Sequence, residues 1–368
     1  MKVLVANLES CGVNYQTDYI IDELEQYFEF TKDFKEADFI VMLGGCCCTA
    51  QQLNSTIKFI NYILDNKKEN TKTYLIGCIT KGFKNVPELK KIEEYLKSNI
   101  DFVIGYYESN KLLNLIKENK LNSEINTDYG ICMYNQNEAD IFIQNGCTNA
   151  CSFCKTNYLN CSLKDMPMER IKEIIDSLNK DGIKKIQLRG LNLSQYGLDL
   201  YKEYKLMELC EYIEGKSGIE QVILSNFAFS DAIRGNFQER LKYLEKTSMI
   251  NSSLESGSNR ILNLMKKGFT SEEILQFYDQ VNSIYGKKFR LNIVSGFPTE
   301  TVDDCLKTIE VIDYINPQLV NINTYLDSEF VQSHNYSQLT SSEIRQHTKI
   351  YSKILKNHSI RYKINGAN

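Results

Sequence analysis

Residues 141–159 read IFIQNGCTNACSFCKTNYL. The apolar run Ile141-Phe142-Ile143 has the β-branched and aromatic character of a buried strand. Directly behind it stand Cys147, Cys151 and Cys154 in CxxxCxxC spacing. Three thiolates can hold a four-iron cluster and leave one iron without a protein ligand, free to bind a substrate or cofactor. Phe153, between the last two cysteines, is placed to lay an aromatic face against a bound nucleoside. The competing reading is a zinc knuckle with Cys161 as fourth ligand, but no second CxxC pair accompanies the trio.

A second, scattered trio lies upstream. Lys2–Asn7, Phe39–Leu43, Thr73–Ile76 and Phe102–Ile104 read as strands, separated by helical patterns over Tyr15–Phe28 and through Ile57, Ile60 and Leu64. Strands alternating with helices predict a parallel sheet, whose ligands gather beyond the strand carboxyl ends. Cys11, Cys46 and Cys78 follow the first three of these strands and are expected at one sheet edge, around a common ligand. Two open clusters in one chain imply an enzyme and not an electron carrier.

A length of 368 residues predicts about two domains, each able to bury its own core. No stretch approaches the roughly 18 apolar residues of a membrane span, and the start, MKVLVANLES, lacks the long apolar segment of a signal peptide. The expected location is therefore the cytoplasm, where twelve cysteines read as metal ligands or reactive thiols before disulfides. The only histidines, His334, His347 and His358, are far from either trio, so a metal site there must be rich in sulfur. The net charge of −4 argues against a large nucleic-acid surface. Residues 331–368 nevertheless carry six basic residues and the single acid Glu343.

Beyond a polar stretch, Asn119–Glu138, a second βα series places strands near 140–144, 184–188, 220–225, 249–254, 288–294 and 318–322. Six such units predict a partial (β/α)6 barrel. The closing helix, Ser341–Asn357, has Ile344, Tyr351, Ile354 and Leu355 on one face, suited to packing against that barrel. The expected class is α/β: a Rossmann or flavodoxin-like domain over 1–120, a linker over 121–138, the barrel over 139–330 and a basic helical tail over 331–368.

These segments together resemble the radical-SAM superfamily and, within it, the methylthiotransferases. IFIQNGCTNACSFCKTNYL resembles the family's cluster loop, and IKKIQLRGLNLSQYG is similar to its second-strand segment, with Gly190 and Asn192 at positions associated with S-adenosylmethionine (SAM). SSLESGSNRILNLMKKGFT resembles a diagnostic segment that puts Ser253 and Glu255 on the fifth strand, facing the barrel interior. LNIVSGFPTETVDDCLKTIE resembles the sixth-strand signature with Gly296, Phe297 and Pro298. ESCGVNYQTD, LGGCCCTAQQ and LIGCITKG match the family's own N-terminal domain at Cys11, Cys46 and Cys78.

The resemblance implies two [4Fe-4S] clusters and SAM as cofactors. Cys147, Cys151 and Cys154 would hold the cluster whose open iron chelates SAM, and reduction would yield a 5′-deoxyadenosyl radical. Cys11, Cys46 and Cys78 would hold an auxiliary cluster that binds an external sulfur species, methylated by a second SAM. The product would carry C–SCH3 in place of an unactivated C–H, with reducing electrons from a flavodoxin or ferredoxin type of donor. Glu255, and less strongly Asn226, are candidate SAM or substrate contacts, and Gly296 a backbone contact to adenine. Cys47, Cys48 and Cys161 read as buried apolar groups or as auxiliary thiols, and Cys132, Cys210 and Cys305 as inert.

Two departures bear on the substrate. Lys155–Pro167 contains no arginine, where RNA-modifying relatives carry several. The C-terminal RNA- or target-binding β-barrel usual in the family is also not expected after the closing helix. The favoured substrate is a peptide or protein, such as a ribosomally made precursor peptide. The alternatives are tRNA adenosine, engaged through the basic tail, and a non-catalytic iron–sulfur redox sensor.

Overall fold

The computed structural model describes residues 1–8, 20–21, 24–45, 47, 50–81, 87–104, 112, 131–135, 137–159 and 162–365. The chain forms two compact units: Met1–Cys132 with Lys155–Cys161 and Ser328–Phe330, and the remainder. Each is built around a parallel sheet.

In the first unit the strands are β1 (Lys2–Asn7), β2 (Glu29–Phe30), β3 (Phe39–Leu43), β4 (Lys72–Ile76) and β5 (Phe102–Ile104), in the order β2-β1-β3-β4-β5. Every residue of β3 is buried, as a central strand covered on both faces requires. Helices α1 (Ala50–Asn66) and α2 (Pro87–Asn99) belong to the same unit. This order is the doubly wound, flavodoxin-like one, and it reverses between β1 and β3, where such sheets open their ligand crevice. The sequence reading missed β2, which is only two residues long and exposed.

The second unit carries a sheet ordered β14-β13-β12-β11-β10-β9-β7-β6, with the short β8 (Lys164–Asp165) off β7. Six parallel strands form the βα series: β7 (Glu138–Asn145), β9 (Lys185–Gly190), β10 (Gln221–Phe227), β11 (Thr247–Glu255), β12 (Lys288–Ser295) and β13 (Leu319–Thr324). Helices α3 (Met168–Lys180), α4 (Leu206–Glu214), α5 (Phe229–Arg234), α6 (Gln238–Leu241), α7 (Asn259–Leu264), α8 (Ser271–Val281) and α9 (Val302–Ile315) fall between them, and α10 (Ser341–Asn357) follows β13. The architecture is a partial (β/α)6 barrel; among the described residues no strand pair closes it.

Three expectations need correction. Counted from β7, Ser253 and Glu255 lie on the fourth strand and the Gly296 signature ends the fifth, because the parallel series begins at β7. Residues 131–135, read as part of the linker, form the edge strand β6. The tail read as helical also adds a strand, β14 (Tyr362–Asn365), parallel to β13.

Along the barrel strands one face is apolar and buried (Ile186, Leu188, Ile250, Leu291, Ile293, Val320, Ile322). Polar side chains on the other face pair across neighbouring strands. Arg189 bonds Asp140, Asn251 donates to Ser225 Oγ at 3.0 Å, and Asn321 to Asn292 Oδ1 at 2.9 Å. That polar wall leads to the strand ends where the site lies.

The segment after β11 is fixed by the start of α9. Thr301 and Asp304 form a capping box, and Asp304 also accepts from Ser258 Oγ at 2.6 Å and from Arg260. Gly257 donates to Thr308 Oγ1 at 2.9 Å, and a Cβ on it would lie 2.7 Å from the Lys307 carbonyl oxygen, so only glycine fits. The sequence segment Ser256-Gly257-Ser258 is thus a docking device that leaves Glu255 at the strand end. Burial raises the Asp304 carboxyl, but hydrogen bonds from Arg260, Ser258 and Thr301 outweigh it and hold the group well below the usual carboxylate range. Its stabilisation is therefore complete above the ordinary carboxylate value and is lost as pH falls below it. Asp304→Ala should cost about 2 kcal/mol in urea unfolding at neutral pH, with the difference from the parent shrinking in acid.

Candidate active site

The loop carrying Cys147, Cys151 and Cys154 leaves β7 through Gly146, whose φ is 79° and where a Cβ would lie 2.1 Å from the Ser162 carbonyl oxygen. Ser152 anchors the middle of the loop. Its amide donates to Met265 O at 3.0 Å, its Oγ to Leu264 O at 2.7 Å, and its carbonyl accepts from Ser333 N at 2.9 Å. All three cysteines are half-buried and free of disulfides. Burial pushes the Cys147 thiol up, against hydrogen bonds from Asn192 and Asn149. Burial likewise pushes Cys151 up to about 11, opposed by Lys267, and Cys154 interacts electrostatically with both. Three soft donors that sense one another, with two N–H groups aimed at Cys147 Sγ at 3.4 Å, fit a thiolate-held iron–sulfur cluster.

Strand irregularities place the neighbouring groups. Register shifts interrupt β7 between Phe142 and Gln144, β10 between Ser225 and Phe227, and β11 between Ser253 and Glu255. Asn226 (φ 59°) and Glu255 (φ 65°) occupy the left-handed region at two of these sites. Non-glycine residues rarely adopt that conformation, and bulges of this kind re-aim a side chain at a strand end. Asn226 donates to the Gly190 carbonyl at 2.7 Å, and Gly190 lets Gln144 approach, since a Cβ there would lie 2.7 Å from Gln144 Oε1. Gln144 in turn accepts from Asn192 N at 2.9 Å.

Asn192 bridges Cys147 and a buried carboxylate, donating to Asp231 Oδ2 at 2.9 Å. Asn149 donates to the same oxygen at 2.8 Å, while Gln195 and Arg234 donate to Oδ1 at 3.2 Å and Tyr204 at 3.3 Å. Gln195 is itself bound to Thr148 on both sides of the amide. Asn192 Oδ1 is buried with no hydrogen-bond partner and so offers an acceptor beside Cys147.

On the opposite side, Lys267 Nζ stands 3.6 Å from Glu255 Oε1, each side chain only 11% exposed. Burial pulls the Lys267 ammonium down, but Glu255, Cys151 and Cys154 outweigh it and the net shift is upward. Phe153 lies 6.0 Å from that ammonium and meets Phe297 edge-on at 6.2 Å. Gly296 precedes Phe297 directly in the chain, and Ser253, on β11, is half-buried.

In the N-terminal unit, Cys11, Cys46 and Cys48 lie outside the described residues, as do Cys161 and the Cys78 side chain. The strands they follow are adjacent: Leu8 N donates to Leu43 O at 2.8 Å and Gly44 N to Ile76 O at 2.9 Å. The backbones after β3 and β4 touch at Gly44 and Gly77, where a side chain on Gly77 would overlap the Gly44 carbonyl. A cavity of about 350 Å³ opens beside the end of β1, lined by Asn7, Leu8, Ser55, Thr56 and Phe59. Cys47 is fully buried, and its carbonyl accepts from the Tyr158 hydroxyl at 2.9 Å. Cys210 and Cys305 are also fully buried.

Residues 141–312 match the radical SAM superfamily, so this segment is a radical-SAM domain. Over most of its length the chain is also homologous to tRNA and ribosomal-protein methylthiotransferases, which supports an enzyme of this type. A tRNA-2-methylthio-N(6)-dimethylallyladenosine synthase of Petrotoga mobilis is 27% identical over 354 residues, covering 92% of this chain and 79% of that protein. The threonylcarbamoyladenosine tRNA methylthiotransferase MtaB of Aquifex aeolicus is 27% identical (90% and 82%). The ribosomal protein uS12 methylthiotransferase RimO of Clostridium botulinum is 24% identical (94% and 79%). The radical SAM methyltransferase TsrM of Kitasatospora setae shares the fold, with a TM-score of 0.56 at 13% identity over 90% of this chain and 77% of that one. Radical-SAM methylthiotransferases use SAM and two [4Fe-4S] clusters. No helix among the described residues is long and apolar enough to cross a membrane.

Sequence reasoning missed Asp231, Gln195, Lys267 and the bracing role of Phe297. Lys267 stood inside a quoted motif, whereas nothing about Asp231 marks it locally, since its partners come from four separate segments. Lys267→Met should cost roughly 3 kcal/mol in denaturant unfolding because it strands Glu255 in low dielectric, and adding Glu255→Gln should recover part of that loss.

Proposed function

We propose that the enzyme replaces an unactivated C–H by C–SCH3 on a peptide or protein, with Cys147, Cys151 and Cys154 holding the SAM-binding cluster and Cys11, Cys46 and Cys78 the auxiliary one. The carrying observation is the gathering of the barrel thiols at bulged strand ends, between the Asn192–Asp231 network and the Lys267–Glu255 pair. When bound, SAM and the reduced cluster supply a 5′-deoxyadenosyl radical able to abstract hydrogen from carbon.

The chain's own groups orient and shield. Asn192 fixes Cys147 and turns its free Oδ1 to a ligand N–H. Asp231 Oδ2 accepts from both Asn149 and Asn192, which ties the thiol loop to the turn after β9 without any ligand. Lys267 opposes the burial that raises the Cys151 thiol, so its charge would offset that of a cluster-bound thiolate there. Phe153 and Phe297 cover this side with apolar surface and keep water from the reacting carbon. An electron donor of the flavodoxin or ferredoxin type would reduce the barrel cluster.

The peptide reading rests on the loop after the thiols: Lys155–Leu159 offers one lysine and no arginine fork for phosphates. One observation favours tRNA instead. Arg345, Lys349, Lys353 and Lys356 recur every three or four residues along α10, all exposed and without an ion pair. Anaerobic turnover with SAM and reductant, offering tRNA and candidate peptides in parallel, should put the methylthio group on peptide with little dependence on salt. Modification of tRNA instead, falling steeply with salt and with loss of Lys349, Lys353 and Lys356, would reverse this assignment.

The two trios should also separate by function. Cys151→Ala should abolish 5′-deoxyadenosine formation, while Cys46→Ala should leave it measurable and end sulfur transfer. Equal loss of both activities in the two variants would refute the division.

A further inference from the structure

The buried residues Glu300, Cys305 and His347 have their ligating atoms within 4.8 Å of one another. A metal site is the first reading of such a set, but the Glu300 carboxylate is already engaged. Its Oε2 accepts from Gly296 N at 2.7 Å and contacts His347 Nδ1 at 2.9 Å, and its Oε1 accepts from the Tyr351 hydroxyl at 3.2 Å. Three donors on one desolvated carboxylate make a pin that joins α10 to the turn after β12.

That turn is under close contact from the same helix. Gly296 has φ 80°, and a Cβ on it would lie 2.7 Å from Ile344 Cγ1 of α10. Ser295 Oγ and Thr348 Oγ1, again on α10, are 2.9 Å apart. The next residue, Phe297, is fully buried and braces Phe153, between Cys151 and Cys154. A continuous path of hydrogen bonds and ring contact therefore runs from His347 through Glu300 and the Gly296–Phe297 turn to the thiol loop.

We infer that His347 is a positioning residue for SAM binding, acting through Glu300 on the Gly296–Phe297 turn. Only an imidazole or another donor at position 347 holds Oε2 while the same oxygen receives the Gly296 amide. The groups facing His347 are Glu300 on the turn, Asp304 and Cys305 on α9, and Glu343 and Tyr351 on α10. The hydrogen bond to Glu300 raises the His347 imidazole above its ordinary value, against burial. The charged pair is therefore fully formed below that ordinary value and is lost as pH rises through the raised one.

The inference rests on SAM lying at the barrel strand ends, and the test separates the two ideas. Hydrogen exchange across residues 293–301, measured on the cluster-loaded enzyme without SAM, should quicken several-fold in His347→Ala relative to the parent beyond the intrinsic effect of pH. SAM affinity by equilibrium dialysis should fall about tenfold, with the KM for SAM rising and kcat for 5′-deoxyadenosine nearly kept. His347→Gln, which restores a donor without a charge, should recover much of the affinity and remove its decline as pH rises above the ordinary imidazole value. Tyr351→Phe, a gentler change, should loosen the turn and weaken SAM in the same direction.

Faster exchange with unchanged SAM affinity would overturn the positioning role. So would a pH dependence that survives in His347→Gln, or a stoichiometric metal ion lost on replacing Cys305. Failure of the parent itself to bind SAM would overturn the reading of the site, and this inference with it.

Discussion

Lys267 sits largely out of water between Glu255 and the thiols of Cys151 and Cys154. A charge at that depth is tolerated only if its partners are held in place, because desolvation penalises any geometry in which one drifts away. Much of the barrel's local detail serves that end. The bulge in β11 and the left-handed Glu255 bring the carboxylate round, and the Ser256-Gly257-Ser258 segment locks against α9. The end of α7, through Leu264 and Met265, holds Ser152 and with it the thiol loop.

The Asn192–Asp231 network plays the corresponding part beside Cys147. Asp231 is fully buried and takes donors from the thiol loop, from the turn after β9 and from α5 itself. A carboxylate so surrounded is satisfied without any ligand, so the loop is ordered in advance. Pre-ordering lowers the entropy lost when cofactors bind and keeps reacting atoms in register. Asn192 Oδ1, buried among these groups, has no hydrogen-bond partner among the described residues.

The N-terminal sheet solves a different problem with simpler means. Its order reverses between β1 and β3, the switch point at which sheets of this kind open a ligand crevice. Glycines at 44 and 77 let the backbones after β3 and β4 lie in contact. The aromatic cluster of Phe28, Phe39, Tyr74 and Phe102 stiffens the sheet beneath.

The amino-acid sequence by itself determined the βα alternation, the six barrel strands, the closing helix and the spacing of the cysteines, because hydrophobic period and local motifs are properties of neighbouring residues. It also marked Asn192 and Glu255 as residues of interest. It could not show that Gly190 is required by Gln144, that Glu255 is paired with Lys267, or that His347 bonds a carboxylate 47 residues upstream. The strands β6 and β14 escaped for a related reason: segments of only four or five residues become strands only when a sheet edge offers hydrogen bonds to them. Tertiary structure alone decided these points, since each depends on groups distant in the chain sharing one desolvated space.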